Sequence, residues 1–243
     1  MFNSLKLSDL PARSCQILRE PTNTRPTIWV VEEEGKRAVI KDFSSSGFIF
    51  RNTAGRFLIW REARAYKKLE GIRGVPAFYG VIGGLALAVE EIKGINLEDL
   101  ERRIHPLRLD PSLKDERVLK EAARFSPDLF KKLKDLVDDI HNKGIAHCDL
   151  KRTPNIMLGD DGQPYIIDWP SFMSQRSFSI FPLNLIYKRF LQDDYLAIIK
   201  LQVNNLPSSV SEEEKARYKH RSTPEKIIRA VRDFFRKLLQ KMA

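Results

Sequence analysis

At 243 residues, with 42% hydrophobic and 30% charged side chains, the chain can bury a core of ordinary size and falls outside the disordered class, which joins low hydrophobicity to high net charge. Its formal charge of +10 points to anionic partners such as nucleotides, nucleic acid, phospholipid or phosphorylated sugar, without choosing among them. The most apolar stretch, "FYGVIGGLALAVEEI", is broken by three glycines and reaches acids before the roughly 20 residues of a spanning helix. "MFNSLKLSDLPARS" lacks the charged start and apolar core of a secretory signal, and Cys15 and Cys148 form no metal or redox spacing, so a reducing cytoplasm is expected.

In chain order, "SCQILRE", "TIWVVEEE" and "RAVIKDF" are short and rich in β-branched residues, with "EEGK" as a turn, and predict an antiparallel meander. The period then changes. In "FLIWREARAYKKL", residues 57–69, Leu58, Glu62, Ala65 and Leu69 recur at steps of four, three and four, which predicts a helix with an acid in its buried stripe. "GIRGVPAFYGVI" and "LALAVEEI" resume as two strands, closed by Gly94. Ser126 and Pro127 open a helix whose Leu129, Leu133, Leu136, Val137 and Ile140 line one face until Gly144. Further helices are predicted over 183–203 and 224–242, with "LPSSVSEEEKARYKHRST" between them as a mobile polar connection. A strand-rich first part and a helical second part suggest an α+β fold of two lobes with a cleft between them.

The chemistry concentrates in "AHCDLKRTPNIMLGDDGQPYIIDWP". "IML" and "YIID" flank "GDDGQ" and predict a β-hairpin with Asn155 and Asp168 at its two ends. A carboxylate and an amide oxygen converging there suit magnesium, which takes hard oxygen ligands and keeps waters and substrate phosphates for the rest. Asp149, on the preceding loop, is placed to orient an attacking hydroxyl. Upstream, Lys41 ends the apolar strand "AVIK", and Glu62, on a buried helix face, would be costly if unpaired. A Lys41–Glu62 pair presenting the ammonium to nucleotide phosphates satisfies both residues.

The order Lys41, Glu62, "VEEIKG", "HCDLKRTPN", "IIDWP" resembles that of the protein-kinase-like fold, and is similar to its atypical RIO-type and bacterial lipopolysaccharide-kinase-like branch, over roughly residues 15–203. The resemblance implies an antiparallel-sheet N-lobe with one helix over 1–93 and a reduced, mainly helical C-lobe over 94–243. It implies an ATP-dependent kinase with Mg2+ or Mn2+, in which Lys41 contacts the phosphates and Glu62 holds it. Glu90 and Ile92 would offer backbone groups to adenine, with Val89 at the back of the pocket. Asp149 is the catalytic acid, Lys151 steadies the transferred phosphoryl group, and Asn155 and Asp168 bind the metal. His147 packs the loop, and Asp194 in "RFLQDDYLAIIKL" supports it. The implied acceptor is a protein hydroxyl, as for a RIO-like serine/threonine kinase, or an anionic glycolipid of the lipopolysaccharide core. A pseudokinase binding module is the alternative of another class.

Three departures from the pattern stand out. Asp149 to Asn155 is one residue longer than the family spacing and encloses Pro154. "EPTNTRP" replaces a glycine-rich loop, so either Thr22, Asn23, Thr24 and Arg25 act as side-chain donors or the segment is a plain turn. No Ala-Pro-Glu motif follows Asp168. The basic, amphipathic residues 224–242 form either the last packed helix or a peripheral contact with an anionic membrane face. No nucleic-acid-binding module is recognised.

Overall fold

A 3-10 turn at Leu7–Asp9 and a short helix, α1 (Leu10–Arg13), precede the first strand, a start the hydrophobic pattern did not announce. The computed structural model describes residues 2, 5–110, 112, 114–181 and 183–219; the predicted helix at 224–242, with its membrane contact, lies outside them. Strands β1 (Ser14–Arg19), β2 (Thr27–Glu33) and β3 (Lys36–Asp42) form the expected meander. The turn between β2 and β3 puts Glu34 and Gly35 at φ 49° and 74°, the left-handed pair that a two-residue hairpin requires. Next come α2 (Phe48–Phe50), a π-helical turn (Arg51–Gly55) and α3 (Arg56–Lys68), so the predicted helix begins nine residues earlier in the chain than its apolar period implied. Strands β4 (Phe78–Ile82) and β5 (Ala86–Glu90) complete an antiparallel sheet in the order β1-β2-β3-β5-β4.

The sheet is covered on both faces. Ile59, Ala63, Tyr66 and Leu69 pack with Phe43 and Leu87 in a core that continues into the helical part of the molecule. On the other face, Phe2, Leu5 and Leu10 close over Trp29, Val31, Ala38 and Ile40, and the Phe2 ring stacks on Tyr79 at 4.9 Å.

The second lobe starts with β6 (Gly94–Asn96) and the helices α4 (Leu97–Leu109), α5 (Glu116–Ala122) and α6 (Pro127–Asn142). The expected start of α6 is present: Ser126 Oγ accepts the Leu129 N–H at 3.1 Å. Then follow β7 (Ile145–Ala146), β8 (Ile156–Gly159), β9 (Pro164–Ile166) and β10 (Met173–Ser174), with β6-β8-β9 as one sheet and β10-β7 as another. The 23-residue α7 (Leu183–Asn205) crosses behind them, and α8 (Glu212–Lys219) ends the described chain.

The predicted mobile connection after α7 is corrected here: its described part is ordered structure. Ser211 Oγ accepts the Glu214 N–H and the Glu214 carboxylate accepts the Ser211 N–H, each at 3.2 Å, a reciprocal cap that starts α8. Lys134 pairs with Glu214 at 2.5 Å, and Val210 is buried beneath the turn. Polar composition concealed a capping box.

Candidate active site

Lys41 lies at the meeting of the lobes. Its neighbour Ile40 faces the outer core, so the strand's alternation turns Lys41 to the opposite face, toward α3. Lys41 Nζ donates to Glu62 Oε1 and Oε2 at 2.9 and 2.7 Å and to Asp168 Oδ1 at 2.5 Å. The Trp169 N–H donates to Glu62 Oε1 at 3.3 Å. Glu62 is only 3% exposed at its side chain, Lys41 18% and Asp168 35%, so exposure rises along this three-residue bridge from Glu62 to Asp168. Burial opposes the Lys41 ammonium, but the Glu62 and Asp168 carboxylates outweigh it and hold Lys41 above its usual value. Burial pushes Glu62 up against the pull of Lys41. Burial opposes ionisation of Asp168 as well, yet Lys41 holds it below the ordinary carboxylate range.

The hairpin forms as expected, with Ile156 paired to Ile166 and the Ile167 N–H donating to Asn155 O at 2.9 Å. Asn155 and Asp168 therefore flank its open end. Asn155 Nδ2 donates to Asp149 O at 3.1 Å and to Asp149 Oδ2 at 3.4 Å, which commits the amide N–H groups and leaves its carbonyl oxygen for a ligand. The additional residue between Asp149 and Asn155 is absorbed by a 3-10 turn at Thr153–Asn155. The Arg152 N–H donates to Asp149 O at 3.2 Å and the Asn155 N–H to Arg152 O at 3.0 Å. Burial raises Asp149 above the ordinary range, and Arg152, 3.6 Å from its Oδ2, offsets part of the shift.

The loop is held from below. Asp194, 1% exposed, accepts the His147 N–H at 2.7 Å through Oδ2 and the Cys148 N–H at 2.9 Å through Oδ1, with His141 Nε2 at 3.2 Å. His147 Nδ1 accepts the Asp149 N–H at 3.2 Å, so Nε2 carries the proton and donates to Ile167 O at 3.0 Å. Its ring meets Trp169 edge-on at 4.5 Å. Cys148 and Asp168 both have left-handed backbones, φ 68° and 67°, a strain the surrounding bonds must hold. Burial pushes the Cys148 thiol well up, which keeps it protonated and unreactive.

The remaining expected residues are distributed as follows. Val89 shares the Lys41 face of the sheet and packs against the inter-lobe core. The Glu90 N–H is committed to Ala77 O at 2.8 Å and its carboxylate to the Ala77 N–H at 3.0 Å, whereas no partner for the Ile92 N–H is present among the described residues. Lys151 Nζ is paired with Asp193 on α7 at 3.8 Å. In "EPTNTRP", Thr22 closes on Arg25 as a turn, and the Asn23 carbonyl takes the Gly47 N–H from the segment before α2.

Two residues near the cleft were not singled out for the site by sequence reading. Arg152 approaches Asp149, as above; its position three residues later was a readable signal. Arg19 pairs in register with Ile28, Ile28 with Lys41 and Lys41 with Leu87. Residues opposite one another across a ladder share a face, so Arg19 stands on the cleft side two strands from Lys41, about 10 Å away. Burial draws the Arg19 guanidinium below its usual value, and the Asp168 carboxylate opposes that shift.

No family model and no curated protein match the chain. Among solved structures it is similar to the Rio2 kinase of Chaetomium thermophilum in an ADP, Mg2+ and phosphoaspartate complex, with a TM-score of 0.51 and 17% identity over 87% of this chain. The chain spans 63% of that relative's length. The likeness establishes the bilobal, protein-kinase-like fold: an antiparallel five-stranded sheet with its helix beside a mainly helical lobe.

Proposed function

We propose that this chain is an ATP-dependent phosphotransferase that moves the γ-phosphoryl group to a hydroxyl, and that within the kinase-like fold it is a RIO-like serine/threonine protein kinase. One observation carries the reading: Lys41 bridges the buried Glu62 and the cleft-facing Asp168. Lys41 and Glu62 pair within the first lobe, whereas the contact with Asp168 reaches it from the second. In this reading residues 1–93 form the nucleotide-binding lobe and 94–243 the catalytic lobe.

Lys41 and Arg19 hold the phosphates, and the Ile92 backbone meets adenine with Val89 behind it. Glu90 contributes through its carbonyl, since its N–H is taken. The donor set fits magnesium: the Asn155 amide oxygen and the second Asp168 carboxylate oxygen are hard ligands on either side of the hairpin end. A bound Mg2+ would neutralise charge on the phosphates. Asp149, its basicity raised by burial, accepts the proton of the attacking hydroxyl, while Arg152 limits that rise. Lys151 neutralises the transferred group once an acceptor draws it from Asp193. The Rio2 relative's ADP and Mg2+ support this assignment of ligands. The complete set of Lys41, Glu62, Asp149, Asn155 and Asp168 favours an active enzyme over a pseudokinase.

The test is ADP release from ATP with magnesium, then with manganese, first without acceptor and then with protein and glycolipid acceptors, followed by mass spectrometry of the products. Phosphoserine or phosphothreonine supports the assignment. Phosphorylation of a sugar hydroxyl alone would replace the acceptor class, and absence of metal-dependent turnover with all acceptors would remove the catalytic reading.

A further inference from the structure

The helix that carries Glu62 has a second face. From Phe48 to Lys68 the chain is one helical run through α2, the π turn and α3, about 30 Å long at 1.5 Å per residue. Ile49, Thr53, Arg56, Phe57, Trp60, Arg64 and Lys67 are exposed along one side of it, and Phe48, Asn52 and Lys68 are exposed as well. Four of the apolar side chains here stand far out in water, Ile49 at 77% exposure, Phe48 at 71%, and Phe57 and Trp60 at 52% each. The Phe57 and Trp60 rings lie 5.9 Å apart, and the Arg64 guanidinium covers Trp60 at 4.6 Å.

Charge on this segment is one-sided. Residues 43–69 contain six Arg and Lys and one acid, Glu62, and that acid points inward at 2% exposure. Trp60 and Glu62 are two positions apart, about 200° around the helix, so the ion pair and the aromatic face cannot interfere. A cluster of exposed large apolar groups marks a contact surface, and the interleaved cations set the chemistry of what it meets. The complement is anionic at its boundary and apolar just beneath. A phospholipid surface has that profile along the whole length of the helix, with phosphates above acyl chains and a preference for Trp at the boundary. The basic segment 223–242, with Lys226, Arg229, Arg232, Arg236, Lys237 and Lys241, has the wrong sign to be its cover.

We infer that this face of α2 and α3 docks on an anionic bilayer, with Phe48, Ile49, Phe57 and Trp60 entering the headgroup boundary and Arg56, Arg64 and Lys67 at lipid phosphates. The inference stands apart from phosphoryl transfer, and its test does not use turnover.

The chain's tryptophans supply the probe. Trp169 is fully buried and Trp29 is 9% exposed, whereas Trp60 is half exposed. The full-length protein is mixed at low salt with vesicles of phosphatidylserine and phosphatidylcholine that carry bromine high on the acyl chain. Quenching is expected with these vesicles, absent with pure phosphatidylcholine, and lost in Trp60→Phe. The double variant Arg56→Ala, Arg64→Ala should bind about thirty-fold more weakly, at about 1 kcal/mol per basic residue near the surface, with an unchanged melting temperature. Failure to bind anionic vesicles would overturn the inference. So would binding that leaves Trp60 unquenched and is indifferent to the arginine variant, which would place the contact elsewhere, as in residues 223–242. Protection of Trp60 from a soluble quencher by single-stranded RNA but not by vesicles would assign the face to nucleic acid instead.

Discussion

Lys41 and Asp168 meet at 2.5 Å across the junction of the two lobes, 127 positions apart in the chain, and the same ammonium is held from behind by Glu62. A charge this enclosed is stabilised by its partners more than by water. Lys41→Met is therefore expected to cost about 3–5 kcal/mol, the usual penalty for breaking a buried pair. Lys41→Met with Glu62→Gln should recover much of that loss, since the double variant strands no charge. The pH dependence follows from Glu62, which burial already raises. Without Lys41 its ionised form is penalised further above its folded pKa, so the deficit of Lys41→Met should be largest near about pH 8 and shrink on acidification. Denaturant unfolding of the two single variants and the double variant checks this; additive losses would contradict the pairing.

Asp149→Asn should stabilise the protein while abolishing transfer. Burial raises the Asp149 carboxyl, so its ionised form costs folding energy above the folded pKa and none below the unfolded one. Asparagine keeps an oxygen toward Asn155 and removes that cost. The lost pair with Arg152 is exposed at 68% on the arginine side and contributes little. Thermal melts should show a higher melting temperature for the variant at about pH 8 and a vanishing gain toward about pH 4.

Asp194→Ala removes the carboxylate whose two oxygens accept backbone N–H groups of the loop. His147 and Cys148 would each keep a buried N–H without its carboxylate, at about 1–3 kcal/mol apiece. A loss on the order of 3 kcal/mol or more is expected by calorimetry, with turnover falling as the loop around Asp149 relaxes. Asp194→Asn, which retains one oxygen, should lose less of both.

Arg19→Ala tests the proposed phosphate contact without bearing on the core, because β1 is an exposed edge strand. Stability should stay within about 0.5 kcal/mol of the parent. Titration calorimetry should find ATP bound about tenfold more weakly, some 1.4 kcal/mol, and adenosine bound equally well. Equal weakening for both ligands would place Arg19 away from the phosphates.

Local periodicity and turn chemistry carried most of the fold. The meander, α6, α7 and the β8–β9 hairpin were legible because each apolar period faces one core and each ends at a Gly, Pro or capping residue. The buried acid of α3 was legible for a related reason: Glu62 interrupts an apolar stripe, and an interruption needs a partner. Less readable were features set by tertiary contact. Phe2, Leu5 and Leu10 have no period of their own and are ordered by the outer sheet face they cover. The run before Phe57 is helical through a π turn that shifts the phase of its exposed side. Arg19 reaches the Lys41 face only through strand register, which sets it two strands over from Lys41, and Lys151 is drawn toward Asp193, 42 positions further along the chain.

The most direct measurement is transfer from ATP radiolabelled at the γ-phosphate, in magnesium, for the parent chain and for Asp168→Asn and Asp149→Asn, with nucleotide binding followed in parallel. Asp168 is assigned to the metal and Asp149 to the acceptor hydroxyl. Both variants should therefore lose transfer, while metal-dependent nucleotide binding is lost in Asp168→Asn and kept in Asp149→Asn. Transfer at the parent rate by either variant would contradict the assignment of this cleft as a phosphotransferase site.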